Sequence, residues 1–76
     1  MAEHVVRLIY PPDLLNMPVI NQLIRQYSDL DINILRAEVS PREGWLEVQF
    51  VGNAAMIENA IHWLQEQGIE VLTLGA

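Results

Sequence analysis

Residues 32–51 read Ile32-Asn33-Ile34-Leu35-Arg36-Ala37-Glu38-Val39, then Ser40-Pro41-Arg42-Glu43-Gly44, then Trp45-Leu46-Glu47-Val48-Gln49-Phe50-Val51. Two β-branched and aromatic runs flank a short connection with glycine at its end, which predicts a hairpin. The second run alternates cleanly. Leu46, Val48 and Phe50 fall on one side, and Trp45, Glu47 and Gln49 on the other. On regular alternation the first run carries Asn33, Leu35, Ala37 and Val39 on one face. Its other face carries Ile32, Ile34, Arg36 and Glu38.

Working outward toward the N-terminus, Val5 to Tyr10 is a strand that Pro11-Pro12 stops, since proline donates no backbone N–H to a sheet. Asn16 is the expected N-cap of a helix with Pro18 in its first turn. Val19, Ile20, Leu23, Ile24 and Tyr27 give that helix one apolar face, and Ser28-Asp29 marks its end. On the other side of the hairpin, Asn53 caps a second helix whose buried stripe is Ile57, Ala60, Ile61 and Leu64, flanked by Met56 and Trp63. Gly68 ends it from the left-handed region, and Ile69 to Leu74 is a fourth strand. The order is β-α-β-β-α-β. Right-handed crossovers around a central hairpin predict an α+β, ferredoxin-like sandwich: a four-stranded antiparallel sheet with both helices on one face. Residues 1–76 form a single domain.

The chain has 76 residues, of which 51% are hydrophobic and 18% charged, a composition of globular domains. A domain this small buries only about 60% of its unfolded surface, so self-association would help it. Four arginines and no lysine face ten acids, for a net charge of −6. Such a chain has no basic patch with which to displace phosphate counterions, which argues against nucleic acid as a partner. No apolar run is long enough to span a membrane. Met1-Ala2-Glu3-His4 lacks the basic and apolar regions of a signal peptide, so membrane insertion is not expected and the expected location is cytoplasmic. The absence of cysteine excludes disulfides, thiolate metal sites and a Cys nucleophile.

Little in the sequence suggests catalysis. There is no nucleophile elbow, Walker-type loop or Gly-x-Gly-x-x-Gly, and the loop after the first strand, Pro11-Pro12-Asp13, is poor in N–H groups for an anion. No enzyme activity, cofactor or metal is expected. His62 lies beside Glu58 and Glu66 at i−4 and i+4, and reads as a solvated surface cluster rather than a metal site. By alternation the face of the sheet away from the helices takes Arg7, Ile32, Ile34, Arg36, Glu38, Trp45, Glu47 and Gln49. Two isoleucines and an indole among charges make it a candidate association surface. Asn33 stands out, because asparagine is depleted in strands. It is either an edge amide satisfied by backbone or water, or an amide presented to a polar ligand.

Asn33-Ile34-Leu35 is the triplet for which the NIL domain is named, and nearly the whole chain, from about Val6 to Gly75, resembles that family. The best matches are Asn33 to Ala37, Ala60 to Glu66 and Val71 to Gly75. The resemblance implies a regulatory module similar in architecture to ACT domains. Such modules sit at the C-terminus of the ATPase subunit of bacterial methionine importers. They pair as dimers and bind methionine near the dimer interface, which shuts the importer down when internal methionine is high. The family's triplet asparagine contacts methionine and carries over onto Asn33; Ile34 and Leu35 are assigned to the ligand site with it. With no ATP-binding cassette and a methionine at position 1, the chain is expected to be a stand-alone domain. The expected function is a homodimeric regulatory domain sensing methionine or a related amino acid, with an importer or another protein as its partner. The alternative is a protein–protein interaction module with no small-molecule ligand, acting through an unpaired sheet edge or the open face.

Overall fold

The structure, a computed structural model, describes residues 1–75. Strand β1 (Ala2–Tyr10) leads through a 3-10 turn (Pro12–Leu14) to helix α1 (Val19–Gln26). Strands β2 (Asp31–Val39) and β3 (Gly44–Gly52) follow, then helix α2 (Ala54–Glu66) and strand β4 (Glu70–Gly75). The sheet has four strands in the order β2-β3-β1-β4, and every adjacent pair is antiparallel. This is the expected α+β, ferredoxin-like arrangement. The first strand begins three residues earlier than its hydrophobic run, because Ala2, Glu3 and His4 continue the ladder opposite Gly52, Val51 and Phe50.

Both helices pack on one face of the sheet. Val6, Leu8 and Tyr10 of β1 and Val48 and Phe50 of β3 meet Val19 and Leu23 of α1 and Ile57, Ala60 and Leu64 of α2. Burial pushes the Tyr10 phenol up to about 12, so it is neutral at pH 7. Asn53 caps α2 as its sequence position predicts, its Oδ1 accepting from the N–H groups of Ala55 at 2.8 Å and Met56 at 3.3 Å. Gly68 takes a φ of 95° and ends that helix. Helix α1 differs from expectation. Its N-cap is Pro18, and no side chain caps it. Asn16 lies in the turn before, where Met17 N–H donates to the Leu14 carbonyl at 3.0 Å and no cap forms.

Strand β2 departs from regular alternation. Asn33 stands opposite Gln49 and Ile34 opposite Val48, but the next partner, Glu47, belongs to Arg36. Leu35 is an extra residue, a β-bulge, and the faces change parity across it. Two expectations are thereby corrected. Ile32 and Ile34 share the helix side with Phe50 and Val48 rather than the open face. Asn33 lies on the open face rather than with Ala37 and Val39. Arg36 and Glu38 keep the open-face positions assigned to them.

Candidate functional site

The open face is built in cross-strand rows. One row sets Arg36 of β2 beside Glu47 of β3 and Arg7 of β1. The Arg7 Nε and Nη2 donate to Glu47 Oε2 at 3.0 and 2.5 Å, and the Arg36 Nε donates to Oε1 at 2.7 Å. The Arg7 guanidinium lies 4.6 Å from the centre of the Trp45 ring and that of Arg36 lies 5.8 Å from it. This lid leaves Glu47 only 6% exposed on a face that no helix covers. Hydrogen bonds from Arg36 and Arg7 hold its carboxyl down at about 2. One carboxylate between two guanidiniums leaves the cluster with one uncompensated positive charge.

The neighbouring row starts from Asn33. Its Nδ2 donates to Gln49 Oε1 at 3.2 Å, and the Gln49 Nε2 donates to Glu3 Oε1 at 2.5 Å. The amide is therefore neither buried nor orphaned. Its nitrogen is engaged across the strands, while its Oδ1 has no partner among the described residues. Asn33 also borders a groove of about 330 Å³ beside the start of β2, lined with Ile24, Leu30, Asp31 and Ile32.

The assigned triplet does not converge on one point. Asn33 takes the open face, Ile34 the helix side and Leu35 the bulge between them and Arg36. Ile34 is 55% exposed and Leu35 53%, on a strand at the edge of the sheet. What joins the three is that edge, not a closed pocket. A wider groove of about 620 Å³ lies between the helices, where the Tyr27 hydroxyl donates to the Asn59 carbonyl at 3.2 Å and its ring meets Trp63 edge-on. None of the triplet lines it. Among the described residues no three His, Asp or Glu groups come together to hold a metal ion, and no helix is long and apolar enough to cross a membrane.

Residue-by-residue reading overlooked the Arg7–Glu47–Arg36 cluster and the Asn33–Gln49–Glu3 relay. Alternation places Arg7, Arg36, Glu47 and Gln49 on the open face but not Asn33 or Glu3. What linked them was cross-strand register, which alternation alone does not supply.

The NIL domain family model matches residues 4–72. The chain belongs to the NIL domain family. Over 73 residues this NIL domain is 37% identical to the methionine import ATP-binding protein MetN of Ralstonia nicotianae, covering 91% of this chain and 21% of that protein. It is 28% identical to the protein of the same description from Helicobacter hepaticus, again over 91% of this chain and 20% of the relative. The chain thus spans about a fifth of the length of these curated relatives. Among solved structures, the NIL domain is similar to the C-terminal domain of an ABC transporter ATP-binding protein from Enterococcus faecalis. The TM-score is 0.78 at 22% identity, over 95% of this chain and 83% of the other. A de novo designed protein, Foldit4, has the same fold with a TM-score of 0.61 and 14% identity. At such identities these likenesses speak for the fold alone.

Proposed function

We propose that this NIL domain is a small, non-catalytic regulatory module that binds methionine, or a related amino acid, at the interface between two copies of itself. The observation that carries the reading is the β2 edge. It presents Asn33 in a groove of mixed character, where Ile24, Leu30 and Ile32 offer apolar contacts beside the Asp31 carboxylate, with Ile34 and Leu35 half-exposed along the same strand. A thioether suits an apolar slot, and the amide serves a polar end. A second copy along this edge would cover the exposed side chains and close the groove. The relatives named for methionine import make methionine the first ligand to try. The module then works in the cytoplasm, reporting to an importer or to another protein partner.

Thermal unfolding with and without methionine tests this. At 100 times its dissociation constant a ligand adds about 2.7 kcal/mol, roughly 10–20 °C in a domain of this size. No shift at millimolar methionine or its close analogues overturns the ligand claim. The exposed edge favours one second reading, a module that binds only protein by strand addition. That reading predicts a stoichiometric protein partner and no shift with any amino acid.

A further inference from the structure

We infer that Arg36 is a second polar anchor of this site, which with Asn33 recognises an α-amino acid as a zwitterion, the guanidinium taking the carboxylate. The inference rests on the ligand-binding reading above and adds to it the residue that reads the carboxylate. Its basis is the bulge. In an uninterrupted strand, residues three apart face opposite sides of the sheet. The extra residue, Leu35, brings Asn33 and Arg36 to consecutive positions on the open face, opposite Gln49 and Glu47. They stand about 7 Å apart along the strand, within joint reach of one small ligand.

The two side chains are held in complementary ways. The Arg36 Nε is fixed by Glu47 at 2.7 Å and its plane lies near Trp45, while neither terminal nitrogen has a partner among the described residues. Its side chain is 65% exposed, so those nitrogens are open to a ligand. A guanidinium oriented this way presents a fork to a carboxylate with little ordering left to do. Asn33 commits its nitrogen to Gln49, which leaves its oxygen to accept from an ammonium group. Charge points the same way. Arg7, Glu47 and Arg36 sum to +1, and a ligand carboxylate brings the cluster to zero. Asp31 and Glu38 stand on the same face on either side, opposite Val51 and Trp45, and Glu3 reaches Gln49 from β1. They disfavour a plain anion such as phosphate and favour a ligand that also carries a positive charge. Asn33 also lines the groove with Ile24, Leu30 and Ile32, which takes the ligand's side chain.

The test is calorimetric binding of methionine, methioninamide and 4-(methylthio)butyrate to the wild-type chain, Arg36→Gln, Arg36→Lys and Asn33→Ala. The amide lacks the carboxylate, and the butyrate lacks the ammonium. Wild type should prefer methionine over methioninamide by about ten- to a hundredfold. Arg36→Gln should bring that ratio close to one, with Arg36→Lys between. Asn33→Ala should keep the ratio and instead lose preference over the butyrate. Each comparison is made within one variant, so a change in stability does not mimic the result. If Arg36→Gln keeps the wild-type ratio while methionine still binds, Arg36 is not the anchor and the ligand reading stands. If wild type binds none of the three, both inferences fall.

Discussion

Glu47 is a carboxylate kept from water on the uncovered side of a sheet, where it is bonded by Arg7 and Arg36, whose guanidiniums lie near the Trp45 ring. Its carboxyl, held at about 2 against an ordinary 4.5, is depressed in the folded state. A depressed acid adds stability above its unfolded value and loses it as pH falls through the folded one. Stability should therefore decline between about pH 4.5 and 2. Glu47→Gln should have a lower Tm at pH 7 and a shallower acid decline, measured by circular dichroism melts. An identical acid profile in the variant would show that other carboxylates set it. Asn33 makes the opposite case. It is exposed and its one hydrogen bond runs to a part-exposed Gln49. Asn33→Ala should shift the free protein's Tm by only 2–4 °C at most, about 0.5 kcal/mol. If Asn33 anchors the ligand, the same variant should lose about ten- to a hundredfold in methionine affinity. A variant that melts several degrees lower yet binds normally would make the amide structural.

At the level of elements, the two helices begin differently. Asn53 gives α2 two hydrogen bonds from its side chain, while α1 starts at Pro18 with none. Asn53→Ala should cost about 1 kcal/mol, roughly 4–8 °C in Tm, whereas Asn16→Ala should be nearly neutral. Equal losses in thermal melts would mean that Asn16 stabilises the turn in a way its hydrogen bonds do not reveal. Element order, strand pairing and most of the core were legible because each rests on local signals that agree: paired prolines after β1, clean alternation in β3, a stripe and two terminal signals for α2. Ile24, on the expected apolar face of α1, is instead half-exposed, and Ile61 of the α2 stripe is only partly buried. The faces of β2 were not legible. Its residues are almost all exposed, so no burial pattern forces a parity, and a bulge has no marker when the extra residue is a leucine. The same fault hid the site. The chemistry of Asn33 marks it in the sequence, but regular alternation puts Arg36, three positions on, on the opposite face, and only the cross-strand register brings them together.

For the molecule as a whole, the distribution of its exposed apolar groups decides what it needs. The described chain packs one sheet face under two helices and keeps twelve hydrophobic residues buried, yet leaves Ile34, Leu35 and Val39 more than half exposed on a single nine-residue edge strand. Proteins ordinarily guard such an edge with lysine, proline or a buried charge on the edge itself. β2 has neither lysine nor proline; its charges Asp31, Arg36 and Glu38 lie on the open face, and its bulge splits the edge without covering it. Because the bulge inverts parity, antiparallel pairing of β2 with its own copy matches like faces only in offset registers. One of these sets Ile34 opposite Ala37 and Asn33 opposite Glu38, apolar against apolar and amide against carboxylate. A lysine on the helix side of this strand should block such pairing while remaining solvated in the monomer. Ile34→Lys is the chosen change, since Ile34 is 55% exposed and contributes little to the core. Sedimentation velocity should show a dimer for wild type and a monomer for Ile34→Lys, with the monomer retaining its circular dichroism spectrum. A dimer that survives the lysine would move the interface away from β2, either to the open face around Trp45 or to the β4 edge where Leu72 and Leu74 stand exposed. Only with the interface at β4 would the proposed ligand site have to be complete within a single copy, since Asn33 and Arg36 share the open face with Trp45.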